Sequence, residues 1–152
     1  MQEKMSFVLT SCGRTDLLDK TLESFFKYNS YKIEKLFVVE DSVDKNIYDN
    51  VKKNWGKKLE VICNSKKKGQ IKSIVDTYKN IQTPFVFHCE DDWVYTRKKF
   101  IEDSLKILET DNKIIQVWLE SKESASRLDV FSYGPLKKVG RIGYRKVFCK
   151  SG

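Results

Sequence analysis

Apolar runs of strand length alternate along the chain with longer segments whose apolar residues recur at helical spacing. This alternation limits the possible folds more than any other feature. Ser6-Phe7-Val8-Leu9-Thr10, Lys35 to Glu40, Leu59 to Cys63 and Phe85 to Cys89 read as four strands, and Ile114 to Leu119 as a fifth. Between the first two, Leu18, Leu22, Phe25 and Phe26 mark one face of a helix over 16–29, with Asn29 as its stop. Ile47, Val51 and Trp55 give a narrower stripe for a second helix, and Ile71, Ile74, Val75 and Tyr78 predict a third that faces the core. Thr96 is placed to cap a fourth helix running to Glu109, with Ile101, Leu105 and Leu108 inward. Connections of this length suit right-handed βαβ crossovers, so the first four strands should be parallel with helices on both faces. The fold class is α/β.

At 152 residues the chain fits one domain, or one domain with a short appendage. A hydrophobic content of 40%, with aromatics at 12%, suffices for a core and argues against global disorder. No apolar run approaches the roughly 18 to 20 residues that span a bilayer, which excludes a transmembrane segment. Met1-Gln2-Glu3-Lys4 leads into a short apolar run unlike a secretory signal, so the expected compartment is the cytoplasm. Cys12, Cys63, Cys89 and Cys149 lie far apart with no C-x-x-C, and a single histidine makes a zinc cluster implausible. They read as reduced thiols with packing roles. The formal net charge of +8 suits an anionic partner, whether nucleic acid, membrane surface or a phosphate-bearing small molecule, without choosing among them.

In an open parallel sheet of this class, ligands bind beyond the carboxyl ends of the strands, where loops and helix N-termini converge. Those ends carry Thr10 to Arg14, Glu40-Asp41-Ser42, Asn64 to Gln70 and Glu90-Asp91-Asp92-Trp93. Three consecutive carboxylates repel one another in a partly buried crevice unless a cation offsets them. Oxygen-only ligands shared with substrate phosphates suit Mg²⁺ or Mn²⁺. The alternative is a solvated acidic loop; apolar Phe85 to Phe87 before the triplet and Trp93 after it favour a site. Glu40 and Asp41 either accept hydrogen bonds from a ribose or base, or face the dipole of the next helix. Arg14 is the better candidate to neutralise a pyrophosphate, whereas Lys66 to Lys68 either assist or form a solvated loop. His88, inside an apolar strand, reads as a core histidine. No G-x-G-x-x-G follows the first strand, and neither a P-loop nor a G-x-S-x-G elbow is present. Phosphates would then be held by a metal and side chains instead of a glycine-rich backbone nest.

Phe7-Val8-Leu9-Thr10-Ser11-Cys12-Gly13-Arg14, Val39-Glu40-Asp41-Ser42, Gly69-Gln70-Ile71-Lys72-Ser73, His88 to Trp93 and Gln116-Val117-Trp118-Leu119 occur in an order and spacing that resembles nucleotide-sugar glycosyltransferases of family 2. The resemblance covers Met5 to Ser121, and Glu90-Asp91-Asp92 looks like that family's DxD motif with Glu in first place. It implies a GT-A (Rossmann-like) three-layer fold with a mainly parallel central sheet. It further implies that Thr10, Arg14 and Gln70 belong to the donor site, that Glu40 or Asp41 contacts the base or ribose, and that Glu90 and Asp91 face the ribose and sugar. Asp92, with Glu90, would hold Mn²⁺ or Mg²⁺. The implied reaction is displacement at the anomeric carbon of a nucleotide-diphosphate sugar, expected to be a UDP-sugar, by a hydroxyl of a glycan or glycoconjugate.

An inverting member of the family also needs a carboxylate base, drawn from the part after the fifth strand. Here the sequence departs from the pattern. Only 31 residues follow Ser121, polar at first and then basic with scattered glycines, and no base motif stands out. Glu120, Glu123 and Asp129 are base candidates by position alone. The expected organisation is a donor-binding domain over 1–120 and a short, truncated acceptor-side segment over 121–152. A competing reading is a non-catalytic basic module that binds nucleic acid or acidic glycan through Lys66 to Lys68, Arg97 to Lys99 and the tail from Lys137 to Lys150. A nucleotidyltransferase would also place carboxylates at strand ends, but the first strand lacks a glycine-rich loop. The glycosyltransferase reading expects no nucleic-acid partner.

Overall fold

The computed structural model of the chain describes residues 3–119 and 131–149. By internal contacts it divides into two compact units, Met1–Lys98 and Lys99–Gly152.

The first unit is built on four strands, β1 (Met5–Ser11), β2 (Lys35–Glu40), β3 (Glu60–Cys63) and β4 (Phe85–Glu90). They are all parallel and lie in the order β3-β2-β1-β4. The chain therefore moves outward from β1 to β2 and β3, then returns to the other side of β1. That reversal creates a switch point between β1 and β4, at which an open α/β sheet leaves a crevice at its carboxyl edge. Every residue of β1 is buried, as expected for a central strand covered on both faces.

Three helices connect these strands: α1 (Thr15–Tyr28), α2 (Lys45–Trp55) and α3 (Gln70–Tyr78). In α1, Leu18, Leu22 and Phe25 turn inward as their spacing predicts, and Asn29 ends the helix by donating its N–H to Phe25 O at 2.7 Å. Phe25 joins Phe7, Phe87 and Tyr95 in an aromatic cluster whose ring centroids lie 4.3 to 6.1 Å apart. Burying a side chain of this size contributes roughly 1.5–3 kcal/mol, so this cluster anchors α1 to the sheet. Asp44 caps α2, accepting from the N–H groups of Asn46 and Ile47. At the other end of α2, Trp55 stacks on Phe26 at 5.8 Å and donates its indole N–H to Asp19 at 2.6 Å.

Helix α3 inverts the face that its apolar spacing predicts. Ser73 and Thr77 are buried, while Ile71, Val75 and Tyr78 are exposed, at 79%, 45% and 38%. The reason is local. The Ser73 hydroxyl accepts from Asn64 Nδ2, and the Thr77 hydroxyl donates to Ser73 O, so both small polar groups are satisfied where the helix meets the sheet.

The second unit contains helix α4 (Phe100–Leu108), which begins later than the expected cap: Lys99 occupies the N-cap in a left-handed conformation (φ 63°), and Thr96 does not cap it. The expected fifth strand is absent. Ile114 to Leu119 takes no regular structure and has no ladder partner among the described residues, and Ile115 is 93% exposed. Alternation makes a segment compatible with a strand, but only pairing makes it one. The tail instead forms short antiparallel pairs, β5 (Phe131–Tyr133) with β8 (Val147–Cys149) and β6 (Lys137–Val139) with β7 (Ile142–Tyr144). The β6–β7 hairpin turns through Gly140 (φ 58°) and Arg141, a two-residue loop that needs the positive φ glycine supplies. No helix among the described residues is long and apolar enough to cross a membrane.

Candidate functional site

The carboxyl edge of the first unit's sheet holds a cleft of about 200 Å³. The end of β1 contributes Thr10, Ser11, Cys12 and Arg14, and β2 contributes Val39 and Asp41. Lys67, Gly69, Gln70 and Ser73 close it from the loop before α3 and its first turn, and Glu90 and Asp91 from the end of β4. Six of the sequence-predicted donor residues thus meet in one place: Thr10, Arg14, Asp41, Gln70, Glu90 and Asp91. The seventh, Glu40, does not line the cleft.

Glu40 is fully buried. Its Oε1 accepts from Gly13 N and Ser42 N, both at 2.9 Å, tying the β1–α1 turn to the β2–α2 turn, while Oε2 is buried with no partner. This carboxylate therefore shapes the two turns that border the cleft. Asp41 holds the third. Its Oδ1 accepts from Asn64 Nδ2 at 2.7 Å and Lys68 N at 2.9 Å, and its Oδ2 from Gly69 N at 2.8 Å. Burial alone would raise this carboxyl, but the hydrogen bonds from Lys68, Asn64 and Gly69 outweigh it and hold Asp41 below the ordinary value, so it stays ionised.

At the switch point the acidic triplet meets Arg14. The guanidinium grips buried Asp91 with two donors, Nε to Oδ2 at 3.2 Å and a short contact from Nη2 to Oδ1. Its Nη1 reaches Asp92 Oδ2 at 3.3 Å. Ser11 Oγ donates to Asp91 Oδ2 at 3.1 Å, and Thr21 Oγ1 to the Asp91 carbonyl at 2.8 Å. The hydrogen bond and charge of Asp91 raise the already high pKa of Arg14, keeping it cationic. Much of the cation expected to offset the carboxylates is therefore already supplied by the chain. Three of the five guanidinium N–H groups are used, which leaves two for a ligand.

Among the lysines, Lys68 turns to Asp76 at 3.1 Å, whereas Lys67 lines the cleft. Asp76 also binds Lys72, and hydrogen bonds from Lys72 and Lys68 hold its carboxyl down at about 2. Thr10 is 7% exposed, and its hydroxyl is buried without a partner. His88 is half-buried with neither ring nitrogen hydrogen-bonded, so it is not the satisfied core histidine expected. Of the cysteines, Cys89 is buried, with its thiol pushed up to about 12 by burial; Cys63 is half-buried, and Cys12 is exposed in the cleft. Cys12 is not the packing residue its count suggested. The side chain of Cys149 and the base candidates Glu120, Glu123 and Asp129 lie outside the described residues.

No group of three or more His, Cys, Asp or Glu among the described residues is arranged to hold a metal alone. The donor set nevertheless fits a hard cation of the Mg²⁺ or Mn²⁺ kind, which takes one or two carboxylates and completes its shell with substrate phosphates and water. Glu90 at the cleft wall and exposed Asp92 are the carboxylates that would serve. Sequence reasoning gave no separate role to Ser11, which bonds Asp91, to Asn64, which bonds Asp41, or to Ser73, which bonds Asn64; their places at the end of β1, just after β3 and inside α3 were the available signal.

A family model described as glycosyl transferase family 2 matches residues 6–149. The chain belongs to that family. The fold of this family 2 chain resembles a mannosyltransferase, PcManGT, from Pyrobaculum calidifontis in complex with GDP-Man and Mn²⁺, at TM-score 0.62 and 10% identity over 71% of this chain and 33% of that one. It also resembles S. aureus TarS 1-349 in complex with UDP (TM-score 0.57, 18% identity, 78% and 38% covered) and with UDP-GlcNAc (0.57, 17%, 78% and 37%). The chain thus spans about a third to two-fifths of these structures. No curated protein matches it.

Proposed function

We propose that this family 2 chain is the donor-binding part of a metal-dependent glycosyltransferase that uses a nucleotide-diphosphate sugar, a UDP-sugar in the first instance, and a hydroxyl acceptor on a glycan or glycoconjugate. The observation that carries the reading is the convergence of Thr10, Arg14, Asp41, Gln70, Glu90 and Asp91 on one cleft at the switch point of a family 2 sheet. Thr10 offers a buried, unpartnered hydroxyl there. The nucleotide-bound complexes of PcManGT and TarS support the donor class, and the Mn²⁺ of the former supports the metal. At about 200 Å³ the cleft is smaller than the roughly 300–1,000 Å³ of a typical ligand pocket, so it would seat part of the donor.

In this reading residues 1–120 bind the donor and 121–152 belong to the acceptor side. Asp41 keeps the loop before α3 in place, Arg14 directs its remaining N–H groups to the diphosphate, Glu90 faces the ribose and sugar, and buried Asp91 holds Arg14 in position. Asp92, with Glu90, would hold the divalent cation, which supplies charge neutralisation for the departing diphosphate. The acceptor oxygen forms its bond to the anomeric carbon as the bond to the diphosphate breaks, and the electron pair leaves on the diphosphate. A carboxylate takes the acceptor proton, for which Glu120, Glu123 and Asp129 are the candidates. Free thiols at Cys12, Cys63 and Cys89 support a cytoplasmic setting.

A screen of nucleotide sugars against hydroxyl acceptors, with product analysis, tests the assignment. The expected result is metal-dependent turnover of one UDP-sugar. Turnover of no nucleotide sugar, or equal turnover with chelator present, would contradict it.

A further inference from the structure

Arg14 is divided unequally between two carboxylates. Asp91 is 1% exposed and receives two donors, Nε and Nη2, with Ser11 Oγ as a further donor. The Asp92 side chain is 43% exposed and receives only Nη1, at 3.3 Å, near the long limit for such a bond. A fork onto a buried carboxylate is hard to break, even from a half-exposed guanidinium, whereas a single long contact between half-exposed groups is nearly isoenergetic with hydration. The guanidinium is therefore fixed at one end and loosely held at the other. With Glu90, Asp91 and Asp92 ionised, Arg14 leaves the cluster two negative charges, which suits one divalent cation.

We propose that Arg14 is a built-in occupant of Asp92 that the incoming donor and cation displace together. In the free chain Nη1 sits on Asp92 Oδ2, so a metal arriving alone must compete with it and meets an adjacent positive charge. When nucleotide is present, the guanidinium stays forked on Asp91, the exposed Asp92 carboxylate turns from it to the cation, and Nη1, whose direction the fork fixes, is left for the diphosphate. Nucleotide and metal then bind with positive coupling, each raising the affinity for the other by the same factor. This rests on the donor and metal reading above, and adds an order to it: metal binds weakly until nucleotide takes Nη1 from Asp92.

The test is Mn²⁺ binding to the full chain, read by the electron paramagnetic resonance signal of free Mn²⁺, with and without UDP. Wild type should bind Mn²⁺ weakly alone and more tightly with UDP. Arg14→Gln should bind Mn²⁺ alone about two- to fivefold more tightly than wild type, as expected for removing an exposed competing contact, and its UDP enhancement should shrink by the same factor, the remainder coming from phosphate oxygens on the cation. Should Arg14→Gln fail to fold because Asp91 is left as an unpaired buried charge, the double variant Arg14→Gln/Asp91→Asn removes both charges and carries the same prediction for Mn²⁺ alone. Unchanged or weaker Mn²⁺ binding in whichever variant folds, with UDP coupling intact in wild type, would overturn the role of Arg14 and leave the donor reading standing. Absence of any Mn²⁺ binding or UDP coupling in wild type would overturn both.

Discussion

Asp92 and Val43 show how far individual residues bear weight here. Asp92 is exposed, contributes no core volume, and among the described residues its side chain pairs with Arg14. Asp92→Asn should therefore leave the melting temperature within about 2 °C of wild type, the range of a neutral surface change, and abolish Mn²⁺-dependent UDP binding; retained binding would remove Asp92 from the metal site. Val43 follows the glutamate-anchored turn with φ 65°, a left-handed conformation that costs a β-branched residue roughly 1–2 kcal/mol. Val43→Gly should raise stability in urea by about 1 kcal/mol once glycine's own entropy loss is counted; a loss of stability would mean the position is not strained. The place of Glu90 and Asp91 at the cleft was legible because they end an apolar strand, and the carboxyl ends of such strands border the crevice. The division of labour between Glu40 and Asp41 was not, since nothing in two adjacent acids says which one folds under the turns and which one clamps the loop before α3.

Four parallel strands and the helices α1 to α3 follow from periodicity alone, because each buries a face that its spacing already sets apart. Helix α3 is the exception in orientation: hydrophobic spacing favours Ile71, Val75 and Tyr78 as the inner face, yet hydrogen bonding among Asn64, Ser73 and Thr77 puts the small polar face inside. A pattern read for apolarity alone cannot foresee a polar face satisfied by a neighbouring loop. Strand β4 carries a second cost of this kind in His88, whose imidazole contacts the Tyr78 ring at 6.0 Å while both nitrogens are buried without partners. Burial lowers its pKa below the ordinary 6.5, against a weak opposing pull from Glu90. The unfolded chain therefore takes up this proton at a higher pH than the folded one. The associated stability is fully present above about pH 6.5 and is lost as pH falls through the depressed folded value. Melting temperatures at pH 7.5, 6.5 and 5.5 should fall with acidity in wild type and fall less in His88→Gln; identical slopes would show that His88 does not titrate in this range.

Over the whole molecule, the organisation of the two units was legible to different degrees. The sheet edge of the first unit was readable because three of the five ordered motifs run off the ends of β1, β2 and β4, whose parallel pairing the crossovers fix. The tail was not, because its strands are three residues long and their pairing depends on the Gly140-Arg141 turn, whose signal is only a single glycine followed by a polar residue. The proposed strand over 114–119 failed for the complementary reason, having the pattern without a partner. The net charge of +8 adds a general attraction for anions that must be separated from site binding by salt, since counterion release weakens non-specific association steeply. We expect the cleft at the β1–β4 switch point to bind nucleotide in a metal-dependent way. Isothermal titration of UDP into the chain at 150 mM salt, with Mn²⁺ and separately with chelator, addresses that claim directly at an ionic strength where exposed charges are screened beyond about 8 Å. The account predicts saturable one-to-one binding with Mn²⁺ and at least tenfold weaker binding with chelator, about 1.4 kcal/mol; equal affinity under both conditions, or no saturable binding, would contradict it.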